Sequence, residues 1–226
     1  MNRKTRRLVK KVIRSLIIIT GLAWFYLIYQ SFSLPDTVSL SVSNPKTTSY
    51  IELYKKHNPK HKIERSWVPY EDISPNLKEA VVISEDDEFF EHPGFNLRAI
   101  RKAIEYNLKK GHKARGASTI TQQLARNLYL SSNKSFLRKI RELFIAMQLE
   151  RELSKQRILE LYLNTVEWGD GIYGCEAAAR HYFNKHASRL NRFESAYLAA
   201  ILPSPRRLGK ESPSKIPRVR FILERM

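Results

Sequence analysis

Apolar side chains dominate from Ser15 to Pro35 and no residue in that stretch is charged. Its 21 residues, at ~1.5 Å of helical rise each, span roughly 31 Å, the hydrocarbon thickness of a bilayer. The stretch predicts a transmembrane helix, and Trp24, Phe25, Tyr26, Tyr29 and Phe32 crowd its far half as interfacial aromatics do. A cleaved signal peptide and a buried core helix pass the same test. Bulky residues run on through Leu34 with no small-x-small cleavage site, and the flanking charges are costly to place beside a packed core. A retained single-pass anchor at 15–35 is the expectation.

Downstream the pattern changes. Residues 36–60 are rich in Ser, Thr, Pro and Lys, with turn signals at Asn44-Pro45 and Asn58-Pro59, and predict a tether with one short helix near Tyr50–Lys56. From Trp67 helical spacing takes over, at Pro75–Ile83, Leu97–Lys110, Ser118–Leu130, Ser135–Leu153, Ser154–Asn164, Cys175–Phe183 and Arg192–Leu202. Ser118, Ser135 and Ser154 each precede an apolar-periodic run as N-caps do, and Pro203 ends the last run. In Ser135–Leu153 the apolar set Phe136, Ile140, Leu143, Phe144 and Met147 recurs at steps of three and four, leaving Arg138, Lys139, Arg141 and Glu142 to other faces. Strand-like alternation is nearly absent, so a mainly α domain is expected over 61–226.

Charge sharpens this outline. Seven positive residues and no acid fill positions 1–14, which marks a basic tail that stays cytoplasmic by the positive-inside bias and places the rest of the chain outside. Of the net charge of +18, about +11 remains for that part. With 42% hydrophobic and 11% aromatic residues the chain is no disordered basic tail. The single cysteine, Cys175, excludes an internal disulfide framework and offers no structural zinc set.

Three constellations carry candidate chemistry. Ser84-Glu-Asp-Asp-Glu-Phe-Phe-Glu-His-Pro-Gly94 places carboxylates after the apolar run Ala80–Ile83, where a base or a helix-terminal acidic cluster both fit. Arg115-Gly-Ala-Ser-Thr-Ile-Thr-Gln-Gln-Leu-Ala-Arg-Asn127 offers hydroxyl and amide donors at a helix start but lacks the Gly-Lys-Ser/Thr ending of a nucleotide-binding loop. Arg138-Lys-Ile-Arg-Glu142 puts Arg138 and Glu142 at i and i+4, either a surface ion pair or, with Arg126 and Lys134 upstream, a diphosphate site.

In this order the segments resemble the peptidoglycan glycosyltransferases, the monofunctional biosynthetic transglycosylases and the homologous module of class A penicillin-binding proteins. The family pattern Glu-Asp-x-x-Phe-x-x-His-x-Gly falls on Glu85, Asp86, Phe89, His92 and Gly94, and Gly-Gly/Ala-Ser-Thr-Ile-x-Gln-Gln falls on Gly116–Gln123. A third pattern is met at Arg138, Lys139, Glu142, Ala146, Leu149 and Glu150, a fourth at Lys155–Asn164, and a fifth at Gly171–Gly174, Ala177–Ala179 and Tyr182–Lys185. Departures are small: Ala117 for a commoner glycine, Arg126 for a frequent lysine and Cys175 for an aliphatic residue.

The resemblance implies a mainly helical, lysozyme-like, two-lobed domain with a smaller membrane-facing lobe, in the inner membrane and catalytic on the extracytoplasmic side. It implies polymerisation of lipid II into β-1,4-linked glycan with release of undecaprenyl diphosphate. Glu85 then corresponds to the general base, with Asp86 tuning it, and Glu142 to a second essential carboxylate on the donor side with Arg126, Lys134, Arg138 and Lys139 as positive partners. Ser118, Thr119, Gln122 and Gln123 shape the sugar and phosphate pocket, while His92, Tyr162, Asn164 and Gly174 are scaffold. A divalent metal, Mg²⁺ or Mn²⁺ near Glu142, is left open. Partners are lipid II, the growing strand and membrane lipids, with cell-wall synthesis or division proteins left open.

Two other classes compete. A membrane-anchored muramidase-like hydrolase uses the same kind of carboxylate cleft, but its leaving group is not anionic, so the cations around Glu142 would have no role. Net charge alone permits a basic membrane protein that binds nucleic acid or anionic lipid, yet that reading uses none of the five motifs, and no nucleic acid is expected. Ser-x-x-Lys occurs at Ser43–Lys46, Ser131–Lys134 and Ser212–Lys215 with no Lys-Thr-Gly or Lys-Ser-Gly after it, so no transpeptidase is implied.

Overall fold

Lys and Arg are good helix formers, so nothing in the basic stretch stops the helix that the apolar run favours. In the computed structural model, which describes residues 3–32, 34–111, 118–133 and 135–226, helix α1 covers Arg3–Phe32. It starts inside the expected tail and ends short of Pro35, whose ring disfavours helix in the residue before it. The stretch Thr5–Tyr29 is long and apolar enough to cross a membrane and none of its most apolar window is buried, so α1 is a candidate membrane anchor. Its one mid-span hydroxyl, on Thr20, is satisfied inside the helix by the carbonyls of Leu16 and Ile17, both at 2.9 Å.

Residues Thr37–Met226 form a second unit, described by itself. Its elements in chain order are α2 (Ser49–His57), β1 (Glu64–Arg65), α3 (Pro75–Glu85), α4 (Leu97–Lys110), α5 (Ile120–Tyr129) and α6 (Phe136–Glu152). There follow α7 (Lys155–Thr165), β2 (Glu167–Gly169), β3 (Ile172–Tyr173), α8 (Cys175–Phe183), α9 (Arg192–Ile201), α10 (Pro205–Leu208) and α11 (Pro217–Leu223). The fold is mainly helical. Among the described residues there is one small sheet, of order β1-β3-β2, parallel on one side and antiparallel on the other. Strands of two or three residues carry no readable alternation, which is why the segment from Glu167 to Gly174 reads only as a glycine-rich turn in sequence.

Segment 37–60 is packed and does not behave as a tether. Thr37 is fully buried, its hydroxyl donates to Glu152, and Arg157 clamps the strap through the carbonyls of Leu40 (2.8 Å) and Ser43 (2.9 Å). Thr48 caps α2 by accepting from the amide of Ile51, and Ile51 and Tyr54 bury against Tyr173. Polar composition is misleading here because two apolar residues one helical turn apart suffice to dock nine residues.

At two of the three helix starts where the sequence predicts a serine cap, the cap forms: Ser135 and Ser154 accept from the amides three residues on. The start of α5 differs by one residue. Thr119, not Ser118, accepts from the amide of Gln122 (3.2 Å), which frees the Ser118 hydroxyl for the site. The largest difference is in α6. Its buried face is Glu142, Ile145, Ala146 and Leu149, whereas Phe136 and Met147 of the expected stripe are exposed. A carboxylate sits in the core-facing stripe, so hydropathy alone selects the wrong face.

The core lies where α5 and α7 cross, with Ile120, Leu124, Ile158, Leu159 and Leu161 fully buried, and α9 runs through it buried from Glu194 to Ile201. Helix α9 packs against both α3 and α11, and α11 also contacts α3, which brings Arg218 to the end of α3. Gly94 makes a second close approach. Its φ is +86°, and a Cβ there would lie 2.8 Å from Cγ of Glu150. Gly94→Ala is expected to lower stability by about 2 kcal/mol, from left-handed strain plus the clash. Thermal unfolding would then shift down by roughly 4–8 °C.

Candidate functional site

Glu85 is the last residue of α3, where the helix gives way to the acidic turn and the side chain reaches a cleft of about 480 Å³. That cleft is lined by Ser84, Glu85, Ser118, Thr119, Gln123 and Arg218, among others. Each oxygen of Glu85 has its own donor. Oε2 accepts from Nε2 of Gln123 at 2.9 Å, and Oε1 accepts from Nη2 of Arg218 at 3.0 Å.

Both donors are themselves held. Gln123 accepts at Oε1 from the hydroxyl of Tyr162 (3.0 Å), and the opposite amide orientation would set its carbonyl against the carboxylate. Burial, and then the negative charge of Glu85, hold the Tyr162 hydroxyl protonated well above its ordinary range, so it remains a donor. Arg218 forks onto the carbonyl of Ser84 and, through Nε, onto Oγ of Ser84 (3.0 Å), which donates in turn to the carbonyl of Ala199 (3.1 Å). The carboxylate plane is thus fixed while each oxygen keeps acceptor capacity for a ligand proton.

Asp86, expected to tune Glu85, lines the same cleft and also makes a set of structural contacts. Its side chain is buried, Oδ2 accepts from the amide of Ile120 (3.1 Å), and both oxygens lie within 3.0 Å of Nε2 of His92. The Gly94 amide donates to Nδ1 of His92 (3.2 Å), which assigns the ring proton to Nε2 and makes His92 the donor to Asp86. Thr119 completes the joint by donating to the carbonyl of Gly94 at 2.7 Å. Asp86 therefore ties the acidic turn to the start of α5. Asp86→Ala leaves two buried donors unpaired, and about 2–4 kcal/mol of stability should be lost. Calorimetry checks this, with activity falling in step with the folded fraction.

A second cluster lies on the other glutamine of α5. Glu142 is fully buried, does not line the cleft, and is gripped by Arg138 Nη1 at 2.5 Å and by Lys139 Nζ. Lys139 also donates to Ser118 Oγ (3.0 Å) and Gln122 Oε1 (3.1 Å). Gln122 and Gln123 are neighbours on one helix, so α5 links the cation cluster to the Glu85 carboxylate. Nε of Arg126 and Nε of Arg138 are buried without a hydrogen-bond partner among the described residues. Orphaned cationic donors suit an anion. A divalent metal does not suit Glu142, because each oxygen already has a cation and no cluster of three or more His, Cys, Asp or Glu that could hold a metal occurs among the described residues. Lys134, Gly116 and Ala117 lie outside the described residues.

Arg218 was not legible as a site residue. It is 133 positions from Glu85, on a seven-residue helix whose only sequence signals are Pro217 at its start and the spacing of Val219 and Ile222.

Residues 52–226 match the transglycosylase family, which spans both clusters and the Arg218 helix. The chain belongs to that family. It is 45% identical over 205 residues to a biosynthetic peptidoglycan transglycosylase of Nitrosospira multiformis, covering 88% of this chain and 89% of that one. It is 44% identical over 218 residues to one of Aromatoleum aromaticum, 94% of each chain. With one of Nitrosomonas eutropha the figures are 43% over 221 residues, 95% of this chain and 89% of that protein. The match thus covers the Glu85 cleft, the Glu142 cation cluster and the helix that carries Arg218.

Proposed function

We propose that this transglycosylase polymerises lipid II into β-1,4-linked glycan by inverting transfer, with Glu85 as general base and the cation cluster at the leaving diphosphate. The observation that carries the proposal is the pairing of one oriented carboxylate in a cleft with a separate buried-acid, cation-rich cluster, both reached from α5.

In the step itself, the 4-hydroxyl of the acceptor attacks the anomeric carbon of the donor from the face opposite the diphosphate. Its proton passes to Glu85 as the new C–O bond forms. The bond to the diphosphate breaks and the leaving group takes the electron pair, so inversion of an α-linked donor yields a β-link. Charge grows on that leaving group, and fixed cations stabilise it more in the transition state than in the ground state. Lys139, Arg138 and Arg126 supply the charge, with Lys134 as a fourth partner. Glu142 touches no substrate in this account. It positions Arg138 and Lys139, and its full burial is consistent with that task. Ser118 and Gln122 steer Lys139, and Thr119 holds the joint that sets α5.

The substrate is amphiphilic, and the unit offers a matching surface. Along α4, Leu97, Ile104 and Leu108 are exposed beside Arg98, Arg101, Lys102, Lys109 and Lys110, the pattern of a helix lying on an anionic lipid surface. This supports a membrane-facing surface on the unit, while the seven positive residues within positions 1–14 support a cytoplasmic tail, α1 as anchor and an extracytoplasmic catalytic unit.

The test is incubation of the detergent-solubilised chain with labelled lipid II and no nucleotide. High-mass product that muramidase digests is expected. Cleavage of preformed glycan without polymer would instead select the hydrolase reading.

A further inference from the structure

The end of the chain brings more than Arg218 to the cleft. Positions 218, 221 and 225 fall at i, i+3 and i+7, on one side of α11 and the turn that continues it, and all three line the cleft beside Glu85. The adjoining face of α11 supplies packing: Val219 and Ile222 are buried. Phe221 serves no such purpose. Its ring is 48% exposed, in a cleft otherwise lined mainly by polar groups, with the Arg225 guanidinium 5.3 Å over its centroid.

An isolated exposed apolar residue is ordinary. Phe221 differs in its position, on the same cleft wall as the arginine that orients the base. Arg225 is about half exposed, and among the described residues its one side-chain hydrogen bond goes to Asp87, which is also half exposed, at 3.2 Å. Most of its N–H donors therefore remain for a ligand. On the facing wall Ala99 leaves room, and Asn96 is occupied with Glu88 (2.8 Å) and with capping α4.

We propose that Phe221 and Arg225 form a saccharide subsite next to the reacting centre. Phe221 carries the C–H face of a pyranose ring, to which the negative face of an aromatic ring is complementary. Arg225, held over that ring, donates to oxygens of the same sugar unit. The side of Glu85 is set by its two oxygens. Oε2 faces α5, which leads to the cation cluster, and Oε1 faces α11. The α11 side therefore takes sugar, not diphosphate. This rests on the glycan-polymerising reading and adds to it residues that select for the length and nature of the saccharide.

Two sources present such a ring, the growing strand and the incoming lipid II, and kinetics separate them. The full chain in detergent is assayed with lipid II as wild type, Phe221→Leu, Phe221→Trp and Arg225→Ala, alongside thermal unfolding. For Phe221→Leu and Arg225→Ala either KM for lipid II rises at least fivefold, which assigns the ring to the incoming substrate, or mean strand length falls at least twofold at unchanged KM, which assigns it to the strand. Phe221→Trp, which keeps an aromatic face, restores the affected quantity.

Wild-type KM and strand length in both Phe221→Leu and Arg225→Ala would overturn the subsite. So would a fall in melting temperature and kcat with KM and length unmoved, which is the mark of scaffold. A turnover-free arm uses a soluble β-1,4-linked N-acetylglucosamine oligomer, with binding expected at least fivefold weaker in Phe221→Leu than in wild type. Equal binding in that arm overturns the subsite even if the wild type makes no polymer, whereas absent polymer with the binding difference intact counts against lipid II polymerisation alone.

Discussion

Glu85→Gln should abolish glycan polymerisation, by at least ~10³-fold in turnover, within the range that general-base removal produces elsewhere. It should leave the melting temperature within a few degrees of wild type. The amide keeps an acceptor for one of its two donors and matches the carboxylate in size, and Arg218 retains the carbonyl and hydroxyl of Ser84 as partners. What disappears, on the proposed mechanism, is the group that takes the acceptor proton. Turnover within tenfold of wild type would remove Glu85 from that role. Loss of fold together with activity would show that the charge on Arg218 needs Glu85 structurally.

Glu142→Ala should have the second-largest effect, and of a different kind. Removing one partner from a buried ion cluster leaves uncompensated charge and costs about 3–5 kcal/mol, since Glu142 is fully buried and Arg138 mostly so. Unfolding would move down by roughly 6–20 °C, and activity would fall because Lys139 and Arg138 lose the group that aims them. Lys139→Met separates the two contributions. Lys139 is 44% exposed, so its loss should cost much less stability while slowing diphosphate departure. If Glu142→Ala keeps its melting temperature and loses only activity, Glu142 acts directly on substrate and the positioning account fails.

These two glutamates show where sequence reasoning reaches and where it stops. Glu85 stands out in the sequence only through the family resemblance, whose pattern sets Asp86, Phe89, His92 and Gly94 at fixed offsets from it; the acidic run alone leaves a helix-terminal cluster equally open. Those offsets exist for a structural reason that only the fold displays: Asp86, His92 and Gly94 form a hydrogen-bonded joint onto α5. Glu142 is legible as one of a charged pair, but its burial is not. A carboxylate in a core stripe shifts the apparent apolar face of α6 toward Phe136 and Met147, both exposed.

Helix starts were readable to within a residue because a capping hydroxyl is a local device, and where Ser118 and Thr119 compete the tertiary partner decides. Lys139 takes Ser118, and the helix is capped by Thr119. Arg218 and the strap contacts of Thr37 and Leu40 are unreadable because their meaning lies in partners more than a hundred residues distant. A short amphipathic helix at the end of a chain carries no sign of which carboxylate it will meet.

The most direct measurement is the stoichiometry of lipid release during strand growth, read together with the configuration of the new linkage. Labelled lipid II is turned over by the wild-type chain, and released undecaprenyl diphosphate is counted against disaccharides incorporated. One diphosphate lipid per added unit, with a β anomeric signal at each new bond, is the result expected from a base and a leaving-group cluster on opposite sides of the anomeric carbon. Free reducing disaccharide in place of polymer, or an α linkage, would contradict it.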